Sequence, residues 1–358
     1  MHITKRVDIS RKKAWGIRLG AILIALVICA IVTTLTTGLD PLGVYGTMFS
    51  GAFGSERKIW VLLKELAILL CVSLGLTPAF KMKFWNLGGE GQIMIGALVT
   101  AAMMIYFGAV LPGPVLGLLM LVGAVGAGAI WAMIPAFFKA KWNTNETLFT
   151  LMMNYVAIQL AAYFIIIWEV PKGSGKVGII NQGTQAGWLP TIGGKQYLLV
   201  IIIVALLTIV MDVYLKYTKH GYEIAVVGES SNTARYVGIK VDRVIIRTLF
   251  MSGAICGLAG WMLVAGLDHT ITTTLSGGRG FLGVMVAWLA QFNPIAMVLA
   301  SLLLAFMERG ASEISAIYQL NHAFGDIITG IIIFFIIGSE FFINYQVHLK
   351  RKEDADNV

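Results

Sequence analysis

The feature that most constrains this chain is a succession of apolar runs, each about 20 residues long, separated by short charged segments. A helix rises 1.5 Å per residue, so about 20 apolar residues cross the hydrocarbon core of a bilayer. Runs of that length fall at Ile17–Thr37, Ile59–Phe80, Leu87–Val110, Val115–Phe138 and Thr147–Trp168, then at Tyr197–Leu215, Val244–Leu267 and Ala323–Ile343. Two shorter ones, Phe281–Phe292 and Ile295–Met307, lie between the last two. Phe281–Phe292 reaches only about 18 Å as a helix, so it is expected to be a half-helix shielded by protein or a broken span. Together they predict an all-α polytopic membrane protein with about ten transmembrane helices, some of them short or broken. Composition agrees: 58% of residues are hydrophobic and 13% charged, whereas a soluble domain carries about 25% charged residues.

The formal charge of +8 at neutral pH invites a nucleic-acid reading, but its distribution does not. Lys and Arg sit in the links between runs, the pattern that sets orientation in a membrane. With the N-terminus inside, the inner links hold Lys5, Arg6, Arg11, Lys12, Lys13, Arg18, Lys81, Lys83, Lys139, Lys141, Lys216, Lys219, Arg235, Lys240, Arg243, Arg247 and Lys350–Lys352. The outer links hold far fewer: Arg57, Lys58, Lys172, Lys176, Lys195, Arg279 and Arg309. Both termini are therefore expected in the cytoplasm, and the whole chain is expected to form one transmembrane domain. Its tails would be residues 1–16 and 344–358, its large outer loop 169–196 and its large inner loop 216–243. The first run is long for a signal-peptide core and lacks a small-residue cleavage site, so it reads as a retained span.

Two glycine clusters precede similar apolar helix starts: Gly88-Gly89-Glu90-Gly91 and Gly277-Gly278-Arg279-Gly280. Entering from opposite faces, they would mark inverted repeats of the kind that flank a transport path. In a chain with 40 glycines, coincidence is the competing explanation. Polar groups at membrane depth need partners or a wet cavity. Glu90 stands out, in a path or gate, or as a cap on the next helix. Asn86, Gln92, Asn154 and Gln291 are candidates to hydrogen-bond a polar solute, although helix-to-helix bonds are the commoner use. Trp85 and Trp288 are candidate stacking faces. Lys64 and Glu65, adjacent on one helix, are expected to pair with other helices or to lie near the outer surface. Asp326 is a candidate cap for the last span, and Ser231 or Asn232 for a helix in the inner loop. That loop carries more apolar positions than a solvated linker needs, namely Ile224, Val227, Ala234, Tyr236 and Val237. They fit two short amphipathic helices that either dock a cytoplasmic partner or lie on the membrane surface.

Several chemistries lack their residues. Gly173-Ser174-Gly175-Lys176-Val177-Gly178 matches GxGxxG but follows no strand. A phosphate-binding loop fails too, because Val170 and Val177 stand where Gly and Ser or Thr are required. The five histidines are scattered, and Cys29, Cys71 and Cys256 lie singly in apolar runs, so neither a metal site nor a disulfide framework is expected.

Three blocks carry a resemblance. Phe84–Gln92 resembles the "FNxGxEGQ" signature of bacterial ABC permeases for nucleosides and simple sugars. Asn145–Tyr155 resembles that family's "NEVxxTLMLNY" segment, and Gly221–Ile239 its "GxxxRAxGxNxxAAxxxGI" inner loop. The blocks fall in the family's order, and the likeness spans about Lys58 to Ile343. It implies a type II ABC importer fold with inverted repeats, related to ribose and branched-chain amino-acid permeases. The function implied is ATP-driven import of a nucleoside, with a purine nucleoside or a sugar such as ribose or galactose as further readings. It also implies partners: a cytoplasmic ATPase that holds the ATP and magnesium, a second permease subunit in a heterodimer or homodimer, and an extracytoplasmic binding protein or lipoprotein. No cofactor is implied on this chain, nor any catalytic role. Gly221, Glu223, Gly228, Glu229, Ala234, Arg235 and Gly238 match the inner-loop motif and become the ATPase-coupling positions. At Glu223-Ile224-Ala225 the chain departs from the family's Arg-Ala pair. An ion-coupled secondary transporter, a membrane enzyme and a non-transporting scaffold are the rival classes.

Overall fold

A computed structural model describes residues 2–5 and 10–348. The charges expected at Arg6 and Lys350–Lys352, and the tail beyond residue 348, lie outside the described residues. The chain falls into two compact units, Met1–Leu62 with Phe306–Val358, and Leu63–Ala305.

The first unit holds β1 (His2–Lys5), α1 (Arg11–Thr37) and α2 (Pro41–Phe53). Ser10 caps α1, and Gly38 ends it at φ +68°. The short α2 was not foreseen, and its signal is local. Asp40 accepts from the Leu42 and Gly43 N–H groups, and Pro41 stands at the first helical position, where its missing N–H costs nothing.

The helix α3 (Glu56–Lys81) then leads into the second unit, which contains α4 (Gly89–Phe107), α5 (Gly113–Trp142), α6 (Glu146–Trp168), α7 (Leu198–Tyr217), α8 (Lys219–Glu229), α9 (Ser231–Tyr236), α10 (Val241–Trp261) and α11 (Arg279–Leu289). The chain continues through α12 (Pro294–Ile317), α13 (His322–Asn344) and β2 (Tyr345–His348). Within the first unit β1 and β2 pair antiparallel, and Arg18 bridges Glu340 at 2.7 Å.

Among the described residues nine helices are long and apolar enough to cross a membrane, against the ten expected. The difference lies at residues 279–317. The run expected at Phe281–Phe292 is the 11-residue α11, too short to span. Its neighbour extends well past Met307, because Glu308 and Arg309 are carried inside the 24-residue α12. Two local expectations are also corrected. Asn321, not Asp326, caps α13. Ser230 caps α9 and is the single residue that separates it from α8. Glu65 has the expected partner on another helix, Arg279, and also bonds its neighbour Lys64 at 3.2 Å.

The core of the second unit is backbone against backbone. Apolar side chains gain nothing from leaving lipid, so membrane helices associate by close packing at small residues. A Cβ on Gly96 would lie 2.5 Å from the Gly257 carbonyl oxygen, and one on Gly128 2.4 Å from that of Gly253. These contacts press α10 against α4 and α5. Beyond Trp261 the helix widens into a π-helical stretch, Met262–Asp268.

Candidate functional site

The turn between α3 and α4, Met82–Gly88, gathers most of the polar candidates. It is an ordered structure: the Phe84 N–H donates to the Ala79 carbonyl (2.9 Å), and Lys83 takes a left-handed φ of +59°. Asn86 is fully buried. Its Nδ2 donates to Ser252 Oγ (3.1 Å), while its Oδ1 accepts from the Gly88 N–H and from Gln92 Nε2, both at 3.1 Å. Asn154, on α6, reaches across with both ends. Its Oδ1 accepts from the Gly91 N–H and its Nδ2 donates to the Leu87 carbonyl, each at 2.8 Å. Thr150, one turn earlier, accepts from the Leu87 N–H at 3.2 Å. The amides of Asn86, Gln92 and Asn154 thus bond the protein itself and fix the start of α4; Gln92 Oε1 alone is left without a partner.

The two glycine clusters, far apart in sequence, meet here. Glu90 Oε1 accepts from the Gly280 N–H at 2.6 Å. A Cβ on Gly89 would lie 3.2 Å from Gly280 Cα, and one on Gly280 only 2.5 Å from the Glu90 nitrogen. Two helix N-termini therefore converge, with the Glu90 carboxylate between them. Each end carries roughly half a positive charge, so one carboxylate offsets both. From this point the helices part. Gly283 of α11 lies against Ser73 and Leu76 of α3, and Trp288 lies beside Phe80, so α11 runs toward the C-terminal end of α3. On the far side, Ser252 of α10 meets Asn86 and Gly257 meets Gly96, so α10 runs with α4; Leu249 clusters with Ala79 and Ile255 lies against Gly75, so α10, and α4 with it, runs opposite to α3.

Arg279, the first residue of α11, donates to Glu65 Oε2 at 2.6 Å. Its role was missed in sequence, though a signal existed. Glu65 lies inside an apolar run and Arg279 at the head of another, and charges so placed must pair.

At the other end of α11 the Trp85 and Trp288 rings stack, with centroids 5.7 Å apart and planes 27° from parallel. Both remain half exposed, at 45% and 48%. Phe80 packs edge-on against each, and Phe292 against Trp288. Gln291 is exposed in the tight turn that follows, at φ +50°.

The helix pair α8–α9 divides the coupling candidates in two. Gly221, Gly228 and Ala234 are buried, while Glu229, Arg235 and Gly238 are exposed. Tyr236 is 93% exposed and Val237 62% exposed, so an apolar tip faces outward from a well-packed base. Ala225 stands where the motif has Arg. Two residues earlier, Glu223 accepts from Arg247 of α10 at 2.9 Å.

The glycine-rich segment Gly173–Gly178 is already filled by the chain itself. The Gly173 and Gly175 N–H groups both donate to the Glu169 carboxylate at 2.7 Å, which holds that carboxyl below the usual range. Nearby, His269 stacks on Trp188 at 3.7 Å, and burial pushes its imidazole below the ordinary value. Among the described residues no group of three or more His, Cys, Asp and Glu is placed to hold a metal ion.

Residues 59–337 match the family model described as branched-chain amino acid transport system / permease component. The chain belongs to that family. It is a multi-pass membrane permease of the ABC importer class. Among curated relatives, the glucose ABC transporter permease protein TsgB13 of Haloferax volcanii is 29% identical, over 96% of this chain and 93% of its own length. The guanosine ABC transporter permease protein NupP of Bacillus subtilis is 29% identical, over 94% and 96%. The nucleoside ABC transporter permease protein NupB of Lactococcus lactis is 26% identical, over 90% and 88%.

Proposed function

We propose that this permease carries nucleosides inward by alternating access, driven by a separate ATPase that grips α8–α9. The observation that carries the reading is the half-exposed Trp85–Trp288 pair, at the far end of α11 from its junction with α4. A nucleoside presents a flat aromatic base, and stacking on an indole is worth about 1–3 kcal/mol. Its ribose needs polar partners, and Gln291, exposed in the turn that follows α11, is placed to supply one. In this reading Glu90, Asn86, Gln92 and Asn154 shape the path, while the two indoles and Gln291 meet the solute.

Both termini face the cytoplasm in this account. Supporting this, β1 and β2 pair, which puts residues 2–5 and 345–348 side by side. The excess of Lys and Arg in alternate links points the same way. The motor, with its ATP and magnesium, sits on the partner ATPase; its grip is the exposed Tyr236–Val237 tip with Glu229, Arg235 and Gly238. A second permease subunit completes the path, and an extracytoplasmic receptor delivers solute. Closure of the ATPase pair moves α8–α9 as a rigid body and opens one side of the path as the other closes.

A second reading, a hexose as solute, is favoured by the glucose permease relative. Competition separates the two. Uptake of labelled guanosine by cells carrying the transporter should fall at least tenfold with excess unlabelled nucleoside and be unaffected by excess glucose. The reverse pattern would assign a hexose.

A further inference from the structure

We infer that Lys81–Trp85 is the rigid link that carries motion of α8 to the Trp85–Trp288 pair, with Gly228 as the point of contact and Phe84 as the wedge. The inference rests on the reading of α8–α9 as the ATPase grip. Its geometry comes from three contacts within one unit. First, at Gly228 the backbone of α8 lies directly against the backbone at the end of α3. A Cβ on Gly228 would lie 2.2 Å from the Lys81 carbonyl oxygen and 3.2 Å from Met82 Cα, more than an ångström short of ordinary contact at the first atom. No flexible side chain lies between them to absorb a displacement. Second, Met82 and Phe84 are buried in one cluster with Ile224 and Val227 of α8, Ala234 of α9, and Val241 and Val244 of α10. Third, the residue that follows Phe84 is Trp85, half of the aromatic pair.

The link is also stiff. Lys83 and Phe84 donate backbone hydrogen bonds to Phe80 and Ala79, both at 2.9 Å, and Asn86 donates to Phe84 at 2.9 Å. Beyond it, Thr150 and Asn154 hold both backbone polar groups of Leu87. A packed element of this kind shifts as a unit, because close-packed interiors transmit strain. The turn therefore moves as one body held between α8 on one side and α6 on the other, and Trp85 is the side chain that such a movement displaces relative to Trp288. Gly228 and Phe84 are positioning residues: they touch neither solute nor ATP.

The test uses the complete transporter in proteoliposomes, with three readouts on one preparation: ATPase retained on purification, ATP hydrolysed, and nucleoside moved per ATP. The variants are Gly228→Ala and Phe84→Ala, with Phe84→Leu as the conservative rescue. The expected result is that both Ala variants keep ATPase binding and hydrolysis within about twofold, while nucleoside moved per ATP falls at least tenfold; Phe84→Leu restores most of it. Unchanged transport per ATP in both Ala variants would overturn the link. So would loss of ATPase binding in both, since that would assign these residues to the docking surface. If Gly228→Ala does not accumulate, the Phe84 pair decides alone by the same criteria. Tyr236→Ala serves as the separate control on the grip: ATPase binding that survives it unchanged counts against the docking reading itself, whatever the link variants do.

Discussion

Removal of the Glu90 carboxylate should loosen the junction between α4 and α11 by an amount that the structure bounds. The carboxylate accepts one buried backbone N–H at 2.6 Å. A hydrogen bond to a charged group contributes about 1.5–3 kcal/mol. Two helix N-termini add about 0.3–1 kcal/mol each. Glu90→Ala is therefore expected to cost about 2–5 kcal/mol. Glu90→Gln keeps an acceptor oxygen and loses the charge, so about 1–2 kcal/mol is expected. Gly280→Ala attacks the same contact from the other side by overpacking, at about 1–3 kcal/mol. Thermal unfolding of the purified permease in detergent, followed by intrinsic fluorescence, reads these as falls in Tm of roughly 3–7 °C for Glu90→Ala and roughly 1–3 °C for Glu90→Gln. The double variant Glu90→Ala with Gly280→Ala should cost less than the two singles added, because both break one contact. If Glu90→Ala and Glu90→Gln both melt within about a degree of the unaltered protein, or if the double variant is strictly additive, the carboxylate does not hold the two helices together.

Three further outcomes are expected. Trp85→Ala and Trp288→Ala should each lower nucleoside uptake about tenfold, as loss of one stacking face implies, while Phe replacements keep most of it; equal loss for a hexose would remove the base-stacking argument. Tyr236→Ala should cut ATPase affinity by about tenfold or more, as for a buried aromatic anchor at an interface, measured by titration of the labelled ATPase onto permease nanodiscs. Acidification should loosen the segment from Glu169 to Tyr197. His269 and Glu169 both have folded-state values below their ordinary ones, so each contributes stability that is present above its ordinary value and is lost as pH falls toward the folded one. The histidine phase should begin below about pH 6.5 and the carboxylate phase below about pH 4.3. Hydrogen exchange of residues 170–197 reads both phases, and a first phase that survives His269→Gln would contradict the assignment.

The parts of this architecture that one stretch of sequence determines were legible. Length and hydropathy place the long helices, α12 excepted, to within about six residues, since each of these helices satisfies its own backbone in lipid. The shortness of α11 was legible for the same reason. By contrast α2 was hidden, because its 13 residues are too few to register as a span and its signal lies in Asp40 and Pro41. The glycine clusters were visible as a repeated pattern, but not that they touch. Glu90 and Gly280 are 190 residues apart, and no local rule brings them together. Likewise Asn86 and Asn154 announced themselves as polar groups in apolar surroundings, while Ser252 and Thr150 did not. A hydroxyl can satisfy itself on its own helix, as Thr150 does with the Glu146 carbonyl at 2.8 Å, and so raises no alarm in sequence. The segment Glu223-Ile224-Ala225 read as a departure from a motif, and only the structure shows the contact of Glu223 with Arg247.

The most direct measurement is counter-gradient accumulation of labelled nucleoside in proteoliposomes, comparing the permease subunits alone with the same subunits plus the ATPase and receptor. Accumulation is expected only in the complete assembly, only with hydrolysable ATP, and undiminished when proton and sodium gradients are collapsed. Uphill uptake by the permease alone, or uptake that follows an ion gradient and ignores ATP, would contradict the account.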